Sequence, residues 1–158
     1  MGAAAVGKAL DMAEGVAVDE LFFYEDALRQ GRSIVIVLIE DDKQGRIARK
    51  ILEEAGAEGV DSAREKWWIG LRDVEQEHYT SQNRNAEWNE IYYRRGFEAA
   101  LRPGTRGKSY REAAENLAES FPDAHNREPF CCGYERGQAY YRSLSRKEKT
   151  SYRTAKEQ

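Results

Sequence analysis

Residues 33–39 read SIVIVLI, seven positions dominated by β-branched side chains and apolar on both alternations. Such a run predicts a strand buried on both faces or lying at the centre of a sheet. Just upstream, Leu21, Phe22, Tyr24, Glu25 and Leu28 fall at helical spacing over residues 18–30, with Asp19 as N-cap and Gly31 as the stop. Downstream, polarity breaks at Glu40, Asp41 and Asp42. Either aspartate suits the cap of a second helix, in which Ile47, Ala48, Ile51, Leu52 and Ala55 keep the helical period as far as Gly56. Val60 to Ala63 then predicts a short second strand, giving a helix-strand-helix-strand unit over residues 1–63.

One strong strand beside a weak one leaves backbone groups unpaired and aliphatic side chains unburied. The rest of the sequence offers no further convincing strand, so the economical completion is a second copy across a two-fold axis. The expectation is therefore an α+β homodimer. Each chain contributes half of a ferredoxin-like unit, the shared sheet runs through Ile34, Val35, Ile36, Val37, Leu38 and Ile39, and residues 64–158 form a helical half.

The segment AVGKAL, followed by VDELFFYEDALRQGRSIVIVLIEDDKQGRIARKILEEAGAEGVD, resembles the C-terminal half of bacterial general-stress, heat-induced stress proteins. The matching positions are Phe23, Tyr24, Glu25, Gly31, Val35, Val37, Asp41, Asp42, Ala55, Gly56 and Ala57, within about 60 of the 158 residues. The chain lacks the strand-helix-strand half that precedes this region in that family. The resemblance implies a stress-associated, non-catalytic role and supplies no catalytic residues to carry over.

The second half reads as helices. Trp67, Trp68, Leu71, Val74 and His78 line one face, with Arg72, Asp73, Glu75 and Glu77 on the other. Trp88 to Leu101 follows, closed by Pro103 and Gly104. Ser109 with Glu112 forms a capping box for a helix ending at Pro122, and a last helix starts near Glu128 or Pro129. Two of these helices share a motif, Tyr93-Arg94-Arg95-Gly96-Phe97-Glu98 and Phe130-Cys131-Cys132-Gly133-Tyr134-Glu135, 37 residues apart. Glycine inside a helix costs about 1 kcal/mol relative to alanine. Gly96, Gly133 and Gly137 are thus best explained by two helices crossing closely.

An alternative function follows from the same repeat: a small-molecule or enzymatic site in an aromatic groove between the two helices, with Arg95, Glu98, Tyr134 and Glu135 as polar contacts. Other chemistry lacks its residues. The two histidines, His78 and His125, stand far apart and no CxxC pair or HExxH occurs, so neither a metal nor another cofactor is expected. Gly104 to Ser109, GTRGKS, ends like a phosphate loop but lacks the glycine spacing and the preceding strand, and serves equally well as a loop with an N-cap.

The chain has 158 residues, 34% of them charged, and a mean hydropathy of -0.82. No apolar run approaches the roughly 20 residues that span a bilayer. The opening MGAAAVGKALDMAEG lacks the basic start and apolar core of a secretory leader, and adjacent Cys131 and Cys132 read as reduced thiols. A cytoplasmic protein is the expectation. The formal charge of -3 divides into -6 over residues 1–85 and +3 over residues 86–158. A basic end carries Arg142, Arg146, Lys147, Lys149, Arg153 and Lys156, yet the overall acidity argues against nucleic acid. The expected partners are a second copy of the chain and a further protein, with no membrane.

Overall fold

A computed structural model of the chain describes residues 21–82 and 87–156, with side chains for 22–82 and 87–144. All regular structure among these residues is helical: α1 (Leu21–Arg29), α2 (Asp42–Glu54), α3 (Val60–Gln82), α4 (Glu90–Leu101), α5 (Tyr110–Ser120) and α6 (Glu128–Lys156). The expected α+β class is overturned, because no strand or sheet occurs among the described residues. Residues 32–39 carry no regular structure, and Val60 to Ala63 is the first turn of α3. The cause is physical: β-branched content favours a pleated surface only where a neighbour supplies hydrogen bonds. With the second strand wound into a helix, the SIVIVLI run has no partner strand among the described residues.

The helix ends follow the local chemistry. Asp41 is the cap of α2, its carboxylate accepting from the Gln44 amide at 2.7 Å. Asn89 caps α4, and Ser109 with Glu112 forms the capping box of α5. The Asp19 cap, the AVGKAL segment and the basic side chains beyond Leu144 lie outside the described residues.

The chain divides into two compact units, residues 1–73 and 74–158. In the first, Phe22 and Phe23 are buried and pack edge-on against Trp67, with ring centroids 5.6 and 5.2 Å away. Arg64 lies over the Phe23 ring at 4.9 Å. Glu58 accepts from Lys66 at 2.7 Å and also pairs with Arg32. α2 contributes no buried residue.

The second unit is built on the crossing of α4 with α6. A Cβ on Gly96 would come within 2.8 Å of the Phe130 carbonyl carbon, and one on Gly133 within 2.9 Å of the Tyr93 carbonyl carbon. Each glycine of the repeated motif thus faces the aromatic residue that opens the other copy, a reciprocal arrangement like that of a two-fold axis. Gly137 extends the contact, since a Cβ there would lie 2.7 Å from Ala100 Cβ. Around this seam Phe97, Ala100, Leu117, Phe121, Phe130 and Tyr134 are buried together with Ala113 and Ala124.

Candidate functional site

The four residues expected to line a groove sit on α4 and α6, where backbone meets backbone at the glycines. Arg95 is held by Asp123 through two hydrogen bonds of 2.7 and 3.0 Å. Its guanidinium also lies 5.5 Å from the Phe121 ring centre. Glu98 accepts from Arg94 one turn earlier, at 2.8 Å, and Glu135 faces solvent. Tyr134 is fully buried, and its hydroxyl donates to the carbonyls of Thr105 and Lys108 at 3.2 and 3.1 Å.

Those carbonyls belong to the GTRGKS segment, which Gln138 holds from the other side. The buried Gln138 amide donates to the carbonyls of Ala100 and Thr105 and accepts from the Gly107 N–H at 2.8 Å. Gly107 has φ +73°, which suits glycine. The N–H groups of Thr105 and Arg106 go to the Arg102 carbonyl, that of Lys108 to Thr105, and that of Ser109 to Glu112. Every amide from 105 to 109 is therefore engaged inside the protein. The segment is a clamped connection whose donors do not point at a phosphate.

The most polar point of the interior is one that hydropathy patterning does not reveal. Glu75 is only 4% exposed and takes two hydrogen bonds from the Arg136 guanidinium, at 2.9 and 2.7 Å, and one from the Tyr93 hydroxyl at 2.8 Å. Burial by itself raises the Glu75 pKa, but the bonds from Arg136 and Tyr93 outweigh it and hold the carboxyl below its ordinary value. Burial first, and then the Glu75 carboxylate, push the Tyr93 phenol upward against the opposing pull of Arg136, so it remains a neutral donor. The amphipathic pattern of this helix puts Glu75 on the solvent side and Val74 on the buried side. The structure reverses them, with Val74 63% exposed. Trp68, Glu75 and Tyr79, at steps of seven and four residues, mark the buried stripe, and that spacing was the available signal.

Among the described residues no three His, Cys, Asp or Glu side chains gather in a way that would hold a metal ion. Neither Cys131 nor Cys132 is in a disulfide, and the Cys131 thiol lies 3.4 Å from the His125 carbonyl. No described helix is long and apolar enough to cross a membrane.

Among the described residues, the exposed large aliphatic side chains cluster in sequence in the first unit. Val35 and Leu38 are 64% and 76% exposed, Ile36, Val37 and Ile39 are about half exposed, and Ile34 is half-buried. On α2, Ile47 and Ile51, one turn apart, are likewise more than half exposed. Ile39 reaches onto the first turn of α2, its Cδ1 2.9 Å from where a Gly45 Cβ would lie. Ile34 to Ile39, the expected centre of a sheet, are instead a non-helical run whose side chains from Val35 to Ile39 are exposed. No family model, curated protein or solved structure matches the chain.

Proposed function

We propose that the chain is a non-enzymatic, stress-associated protein-interaction module that works as a cytoplasmic homodimer. The observation that carries this reading is the run of exposed aliphatic side chains from Val35 to Ile39, together with the exposed Ile47 and Ile51 on α2. Apolar surface gathered in this way loses free energy to water until another surface covers it. The stress association rests on the resemblance of residues 1–61 to general-stress proteins, and a reducing compartment suits two adjacent cysteines that form no disulfide.

In the second unit the polar residues that a ligand would need are already engaged with one another: Arg95 with Asp123, Glu98 with Arg94, Tyr134 with the 105–108 carbonyls. That favours a scaffold over a binding cleft. A native mass spectrum of the purified full chain tests the reading in one measurement. The expected species is twice 18.1 kDa with no added mass. A monomer, or a reproducible extra mass lost on denaturation, contradicts it.

A further inference from the structure

We draw no further inference here: the strongest candidate, the exposed aliphatic patch of Val35 to Ile39 with Ile47 and Ile51 on α2 in the first unit, carries nothing more, because nothing in the structure shows what covers it.

Discussion

The two units of this chain handle their difficult residues in opposite ways. In residues 74–158 the costly groups are turned inward and matched: a buried carboxylate meets a guanidinium and a phenol, and a buried amide closes a loop. In residues 21–73 the exposed ion pairs look after themselves, and it is the aliphatic residues that lack cover. Satisfied interior polarity marks a structure that is complete, because each such group would otherwise cost a desolvation penalty. Uncovered aliphatic surface is what the proposed self-association would remove from water.

The sharpest way to break the contrast is to open the seam that completes the second unit. Gly133→Leu drives a side chain into the Tyr93 carbonyl and the Phe97 amide, where the obstacle is backbone and cannot yield by a rotamer change. Overpacking costs about 1–3 kcal/mol where side chains can move, so the expected loss here is ~3 kcal/mol or more. Urea denaturation monitored by near-UV circular dichroism reads it, and an unchanged midpoint contradicts the close crossing.

The next largest effect comes from the polar centre. Glu75→Ala strands the Arg136 guanidinium and the Tyr93 hydroxyl together. Loss of one member of a fully buried pair costs about 3–5 kcal/mol. Arg136 keeps about a third of its side chain in solvent, so ~2–3 kcal/mol is expected. A loss below about 1 kcal/mol means the cluster is solvated in solution.

Acid sharpens the comparison further. Glu58 is drawn down to about 2 by Lys66 and then Arg32, and Glu75 lies below its ordinary value because its bonds overcome burial. For a carboxyl with a lowered folded pKa, the stabilisation is present above the unfolded value of 4.5 and fades as pH falls through the folded value. Both units therefore lose stability below about pH 4.5. Salt separates them: the Glu58 pairs are solvent-facing and screened, whereas Glu75 is buried. Carboxyl NMR titrations in low and high salt are expected to show Glu58 rising toward its ordinary value and Glu75 holding. Equal movement of the two contradicts the difference in burial.

How far the sequence could be read follows the same division. The Ser109–Glu112 capping box and the α2 cap are local hydrogen-bonding patterns, legible because nothing distant competes for them. The α4–α6 crossing was legible from Gly96, Gly133 and Gly137, since glycine weakens a helix interior unless a second backbone needs the space a side chain would fill. The SIVIVLI run misled because strand formation is decided by a neighbour, and Val60 to Ala63 is equally at home in a helical first turn. Glu75 was missed because hydropathy places a carboxylate in solvent, and only Tyr93 and Arg136, 18 and 61 residues away, make its burial tolerable.

The contrast between the two units, and the self-association proposed for the first, is tested most directly by amide hydrogen exchange of the full chain at dilute and concentrated conditions. Self-association predicts that protection over residues 42–54 rises with protein concentration, while residues 90–101 and 128–144 exchange at rates independent of it. Protection over 42–54 that ignores concentration, or a concentration dependence centred on 90–144, contradicts it.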